Sequence, residues 1–393
     1  MVKARFLHAA DLHLGSPLQS LGDLVDPALH EKAKKLVNNV FQNLVDLAKS
    51  KSVDFVILAG DIYDTADRDP GAQLKFFSGL SQLKNAGIKV FMAHGNHDPL
   101  SAEYLNGSQS PKDVHIFPAG EVSKEVITMS NGAEVTVGGI SYSSSSEPNN
   151  LVPLFKSVTG KTVVGVLHTN VGGNSQHGNY APCSISDLEN STVNYWALGH
   201  IHDRQVHETS KGYWAYPGNL QGRSTKPTEC GPKGVLIVEV DESGLILQPE
   251  FVPCDNLRFQ NHEIDLSIVD KYEDVIPVIA ENLTHLNLYS EERMLLVQIQ
   301  FVGATTFFEK FNTKFEEVRA ATFESGNEIF SNGAVIKIKN QLRPAIDLDQ
   351  ERSRETLLGH LLRALDSEFE EKLSDDIKIE VENIFVTKVG DIE

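Results

Sequence analysis

Cysteine is scarce: Cys183, Cys230 and Cys254 are the only three in 393 residues. They are widely spaced and odd in number, which excludes a disulfide framework and a Cys-x-x-Cys metal knuckle and fits a reducing cytoplasm. Long apolar runs are also missing. The opening MVKARFLHAADLHLGSP is interrupted by His8, Asp11 and His13 and so lacks a secretory apolar core. No window reaches the roughly 18 uninterrupted apolar residues of a membrane helix, so a cytoplasmic protein without membrane contact is expected. Positive charge is in deficit, 35 Lys+Arg against 54 Asp+Glu for a net -19, which taken alone opposes nucleic acid and anionic lipid. The deficit is uneven: beyond residue 257 there are 15 Lys+Arg and 27 Asp+Glu.

What is present is ordinary globular material, 40% hydrophobic and 23% charged with 29 Gly and 16 Pro. At roughly 150 residues per domain the length predicts two or three domains. Short apolar runs ending in Gly, Asp or His (ARFLHAAD, VDFVILAGD, IKVFMAHGNHD) read as buried strands. Between them, residues 30–49 (HEKAKKLVNNVFQNLVDLAK) and 73–85 (QLKFFSGLSQLKN) carry apolar side chains at helical spacing, so the first segment is a layered α/β unit. After Asn106 strand-like pieces follow in series (VHIFPAG, EVITM, AEVTVGGI, KTVVGVLHTN, NYWALGHIH, GYWAYPGN, KGVLIVEVDE), predicting a second sheet packed on the first. Asn131-Gly132 predicts a tight hairpin turn, because both residues tolerate positive φ. SYSSSSEPNN reads as a flexible loop. Near Pro253–Arg258 the texture becomes Glu- and Lys-rich, placing a boundary between residues 1–257 and 258–393. In the tail, MLLVQIQFVG, AVIKIK and IKIEVENIFV are expected strands, and 270–286, 307–319 and 352–372 expected helices.

Each apolar strand in the first 203 residues delivers a metal-ligand type at its end: Asp11 and His13, Asp61 and Asp64, Asn96, His97 and Asp98, His168, and His200 and His202. Strand exits of an open α/β sheet gather at one edge, and Asp-x-His or His-x-His at strand spacing points both side chains the same way. Oxygen and imidazole donors without thiolate suit manganese, iron or zinc. Two such cations about 3.5 to 4 Å apart generate hydroxide and clamp phosphate charge. A single histidine of this kind is commonly structural; the ordered series DxH, GDxxD, GNHD, H, GHxH carries the reading. His8 lies back on its strand and reads as buried and structural. His177, in VGGNSQHGN, could approach a substrate. Tyr213, Trp214 and Tyr216 could stack on a base, although strand aromatics usually belong to cores. Arg223, Lys226 and Lys233 cluster beside the expected metal edge and read as phosphate contacts.

The series resembles the calcineurin-like metallophosphoesterases. Within them HAADLHLGSPL, GDIYD, GNHD, YWALGHIHDRQ and YPGNLQGR with GPKG are similar to SbcD-type DNA repair exonucleases, the YhaO-like subgroup included. The resemblance implies a two-sheet β-sandwich flanked by helices in four layers, followed by a smaller α+β cap domain. It implies one metal on Asp11, His13 and His202, another on Asn96, His168 and His200, and Asp61 bridging both. His97 would stabilise the transition state and protonate the leaving oxygen as a bridging hydroxide attacks, with Asp64 orienting it. Ala93-His94 departs from the family's usual small residue and Pro. The implied function is a manganese-dependent DNA exonuclease, with endonuclease activity as an extension. The implied partners are DNA, an SbcC-like coiled-coil ATPase and a second copy of the chain. A small-molecule or nucleotide phosphodiesterase is the alternative, and a subunit that mainly docks the ATPase is a third. For docking, the leucine stripe Leu357, Leu358, Leu361, Leu362, Leu365 and Phe369 is a candidate, although core packing is the commoner use of such a stripe.

Overall fold

A computed structural model of the chain describes residues 4–22, 24–64, 69–101, 114–173, 180–346 and 348–369. Runs without helical period become strands. Ala4–Ala9, Phe55–Ala59 and Lys89–Ala93 lie side by side and parallel. Gly234–Val240 and Glu250–Pro253 extend this sheet antiparallel at one side, and His115–Ile116 closes the other. The second sheet runs in the order Ser123–Thr128, Glu134–Gly139, Thr162–His168, Tyr195–Gly199, Gly212–Tyr216, Gln205–Thr209, and its inner pairings are parallel.

Both faces of the central strands are buried, as parallel sheets require. Phe6, Phe55, Ile57 and Phe91 join Val135, Val137, Val164, Val166 and Tyr195 in one core between the sheets. The alternate residues Leu7, Val56, Leu58 and Val90 pack instead under the helices Val40–Ser50 and Pro70–Asn85. Outside the second sheet, Val163, Leu167, Trp196 and Leu198 bury against the 3-10 turn Val152–Ser157 and the helix Ile185–Asn190. The architecture is therefore four layers, helix, sheet, sheet and helix.

One local expectation is corrected, and the expected hairpin forms with a detail of its own. The segment 30–49 forms two helices, Pro27–Val37 and Val40–Ser50. Asn38 and Asn39 break it, and the Asn39 side chain accepts from Lys75 Nζ at 2.7 Å; asparagine competes for backbone partners within helices. At Asn131-Gly132 only Gly132 has positive φ (87°). Met129 N–H donates to Ala133 O at 2.8 Å, which makes a three-residue loop ending in a left-handed glycine.

The chain divides into two compact units, Met1–Gln260 with Glu292–Leu296, and Asn261–Glu291 with Val297–Glu393. The second contains the helices Val275–Leu288, Phe308–Thr313 and Phe315–Ile329. A three-stranded sheet has the order Leu257–Asp265, Met294–Val302, Gly333–Asn340. Val275, Ile279 and Leu283 give the first of these helices a buried apolar stripe. In the helix Leu357–Phe369, Leu362 is buried while Leu357 is exposed. The expected strand IKIEVENIFV lies outside the described residues, as does the expected helix beyond residue 369. Among the described residues no helix is long and apolar enough to cross a membrane.

Candidate metal centre

The donors arise where parallel strands end and the chain must turn out of the sheet. Asp11, His13, Asp61 and His200 all have positive φ, at 50°, 43°, 49° and 102°. Such backbone is uncommon outside glycine and costs about 1–3 kcal/mol per residue, so the surroundings must enforce it. They do so by stitching loops together. Asp11 N–H donates to Gly60 O at 3.1 Å and His13 N–H to Asp61 O at 3.0 Å. The buried Asp98 carboxylate accepts from Ile62 N–H at 3.1 Å and Gly95 N–H at 3.2 Å, tying GDIYD to GNHD.

Close approach needs glycine at Gly60 and Gly95. A Cβ on Gly60 would lie 2.2 Å from His168 Nδ1, and one on Gly95 2.2 Å from Asp61 Oδ1.

The structure brings the expected donors together. Donor atoms of Asp11, His13 and His202 lie within 4.8 Å of one another, as do those of Asp11, Asp61 and His168, and those of His13, Asp61 and His97. His168 Nε2 is 3.1 Å from Asn96 Oδ1 and 3.4 Å from Asp61 Oδ2. The His200 ring centroid is 5.2 Å from that of His168, and His200 N–H reaches both Asp11 oxygens at 3.0 Å. Asp61 Oδ1 accepts from His97 N–H at 3.0 Å.

This donor set fits divalent cations. His168 places Nδ1 3.1 Å from the Ala59 carbonyl, an acceptor, so Nδ1 carries the hydrogen. Its Nε2 lone pair then faces two oxygens that only accept, an arrangement a proton or a cation must relieve. Likewise His202 Nδ1 faces Glu229 Oε1 at 2.6 Å and His13 Nδ1 faces Asp64 Oδ1 at 3.4 Å, which leaves their two Nε2 atoms 3.0 Å apart and pointing at each other. Burial pushes the Asp11 carboxyl up to about 6, partly offset by His168 and His202. Burial also acts against charge on Asp61, but His168 and His13 outweigh it and hold Asp61 below the usual carboxylate range. Burial lowers His168 too, yet Asp61 and Asp11 raise it to about 9, while desolvation takes His13 down to about 3.

Several expected roles are redistributed. Asp64 does meet His97, but through its main-chain carbonyl, 2.8 Å from Nδ1; its carboxylate is taken by Arg223 Nη1 and faces His13. Lys233 is not a free phosphate contact: it is buried, and its ammonium donates to His202 O at 3.0 Å and to Thr228 O. Arg223 sits beside the cluster, between Asp64 and Glu229. Lys226 is exposed just before the 3-10 turn Pro227–Glu229. His8 is buried, 3.0 Å from the Tyr195 hydroxyl and 3.2 Å from Leu198 O. Trp214 and Tyr216 are core, and the Tyr216 hydroxyl donates to Thr169 O at 2.7 Å. His177 lies outside the described residues. Sequence reasoning missed Glu229; a lone acid in KPTECGPKG carries no motif that would have marked it.

A double sheet with acids and histidines converging at its strand ends defines a phosphoesterase class, and residues 4–204 match the calcineurin-like phosphoesterase family. The chain belongs to that family. It is similar to the uncharacterized metallophosphoesterase YhaO of Bacillus subtilis, 31% identical over 283 residues, or 72% of this chain and 68% of that protein. It is also similar to the DNA double-strand break repair protein Mre11 of Sulfurisphaera tokodaii, at 27% identity over 54% of this chain and 52% of that one. A subunit of the nuclease SbcCD from Bacillus subtilis is 25% identical over 60% of this chain and 66% of its own length.

Proposed function

We propose that this chain is a two-metal phosphodiesterase that cuts DNA, an SbcD-type exonuclease, with manganese as its working metal and iron or zinc as substitutes. The observation that carries the reading is the pair of facing donor sets, His13 and His202 on one side and His168 with Asn96 on the other, sharing Asp61 between them. On this reading Asp11, His13 and His202 hold one ion, Asn96, His168 and His200 the other, and Asp61 both. When bound, the ions supply charge that activates water and clamps a phosphate.

The chain's own groups do the rest. His97 is exposed at the cluster's edge. Its Nδ1–H is committed to Asp64 O, so Nε2 is the atom left to hold a proton or give it to a leaving oxygen. Its main-chain bond to Asp61 Oδ1 keeps that acid in step with the shared carboxylate. On this reading Arg223, beside the cluster between Asp64 and Glu229, and the exposed Lys226 would meet phosphates, whereas Lys233, buried and donating to two carbonyls, would not. DNA as substrate draws support from the relatives named as a break-repair protein and a nuclease subunit. The second of these names also supports a partner subunit, which we take to be an SbcC-like ATPase. Residues 258–393 serve on this view as a cap or partner-docking domain, and the chain acts as a homodimer.

The test is purified protein with manganese, given end-labelled single- and double-stranded DNA and, in parallel, a chromogenic phosphodiester. Manganese-dependent shortening of DNA is expected. Hydrolysis of the small ester alone overturns the nuclease reading in favour of a small-molecule phosphodiesterase. No hydrolysis of either substrate overturns the autonomous enzyme and favours a docking subunit.

A further inference from the structure

Glu229 is 5% exposed, yet it has no place in the donor series, and its carboxylate is surrounded by partners. Oε1 lies 2.6 Å from His202 Nδ1 and 3.7 Å from Arg223 Nη2. Oε2 accepts from Asn219 Nδ2 at 2.8 Å and from Arg223 N–H at 2.9 Å. A carboxylate cannot donate when ionised, so the hydrogen of this short bond belongs to His202 Nδ1 and the lone pair to Nε2. That Nε2 is the atom 3.0 Å from His13 Nε2, within the Asp11, His13 and His202 cluster.

The turn that carries Glu229 is itself fastened to the histidine it faces. Lys233 Nζ donates both to Thr228 O, one residue before Glu229, and to His202 O. Gly222 has no room for a side chain because a Cβ would lie 2.2 Å from Glu229 O. Arg223 continues the chain of contacts to Asp64, whose carbonyl holds His97. One buried acid thus touches a proposed metal ligand directly and the proposed general acid through two intermediaries.

We propose that Glu229 is a positioning residue of the metal centre, fixing the tautomer and ring orientation of His202 so that Nε2 is presented to the ion shared with Asp11 and His13. The inference rests on the two-metal reading above. A carboxylate behind a metal-bound imidazole raises its basicity, and removing such a partner typically lowers metal affinity about 10- to 100-fold.

The experiment is calorimetric titration of the metal-free full-length chain with manganese chloride, for wild type, Glu229→Ala, His202→Ala and the double variant, each checked by thermal melting. Wild type is expected to take up two ions. Glu229→Ala is expected to lose about 10- to 100-fold in one of the two affinities and to leave the other unchanged. On the His202→Ala background the second substitution is expected to add nothing, because Glu229 acts through that ring. Should Glu229→Ala fail to fold, Glu229→Gln takes its place in the cycle; it keeps an acceptor for Nδ1 but loses the charge, and the same non-additivity is expected. Two-site binding unchanged in the Glu229 variant, or losses that add in the double variant, overturn the positioning role while leaving the metal reading intact. A wild-type chain that binds no manganese overturns both.

Discussion

Adding one methyl group at Gly95 should disable the centre without unfolding the protein. In Gly95→Ala the new Cβ would sit 2.2 Å from Asp61 Oδ1 and 2.9 Å from both Cε1 and Nε2 of His168. Carbon atoms of this kind essentially never approach closer than 3.0 Å, so the Asp61 oxygen must retreat by about 0.8 Å. That oxygen also accepts the His97 N–H, so the carboxylate and His97 are displaced together. A misplacement of about 1 Å in a reacting constellation costs on the order of 100-fold, and overpacking a rigid site costs about 1–3 kcal/mol of stability. We expect kcat for manganese-dependent hydrolysis of a chromogenic phosphodiester to fall about 10- to 100-fold, in line with that displacement. Gly87→Ala is the control. Gly87 has φ of 77° and open space around it, so alanine there costs about 1–2 kcal/mol of backbone strain and should leave kcat alone. A Gly95→Ala enzyme within about threefold of wild type, or a Gly87→Ala enzyme equally impaired, would refute the reasoning.

Other outcomes follow from the same geometry. His97→Ala should abolish turnover while manganese titration still shows two ions, because the proposed assignment leaves His97 outside the ligand set and gives its Nε2 to proton transfer; loss of an ion in that variant would make His97 a ligand instead. Manganese at about 100 times its Kd should stabilise the fold by about 2.7 kcal/mol for each ion bound, seen as a rise in melting temperature that a chelator reverses; an unchanged melting temperature would count against a site built from buried Asp11 and Asp61. Burial lowers His8 from its ordinary 6.5 to about 3. Between those values the unfolded chain binds a proton that the folded chain refuses, so this group makes stability fall as pH falls, by up to about 1.4 kcal/mol per pH unit. Urea unfolding of wild type and His8→Gln between about pH 7 and 4 should show that slope reduced in the variant; parallel slopes would mean His8 is not buried neutral.

Much of the first unit could be read from local pattern. Strands buried on both faces announce themselves as unbroken apolar runs, and Phe6 and Leu7 serve opposite layers as a two-residue period demands. What failed was finer. The apolar stripe of residues 30–49 continues in register past Asn38 and Asn39, so periodicity alone could not show the break between Val37 and Val40. Asn131-Gly132 marked the hairpin correctly but not its loop length, which the Met129 and Ala133 pairing decides.

The candidate donors were legible because chemistry-bearing side chains stood at the end of each strand, and parallel strands share an edge. That much is determined by the order of residues along the chain. Which atom each donor presents is not, because it depends on partners brought from far away. Asp64 serves His97 with its carbonyl rather than its carboxylate, since Arg223, 159 residues on, claims the charge. Lys233 looked like a phosphate contact until the fold closed it over two carbonyls. Glu229 stands in no motif, and only folding buries it behind His202. Sequence determines the donor types and the edge where they gather; only the tertiary structure assigns protons, lone pairs and charges among them, because those are set by contacts a few ångströms long between residues far apart in the chain.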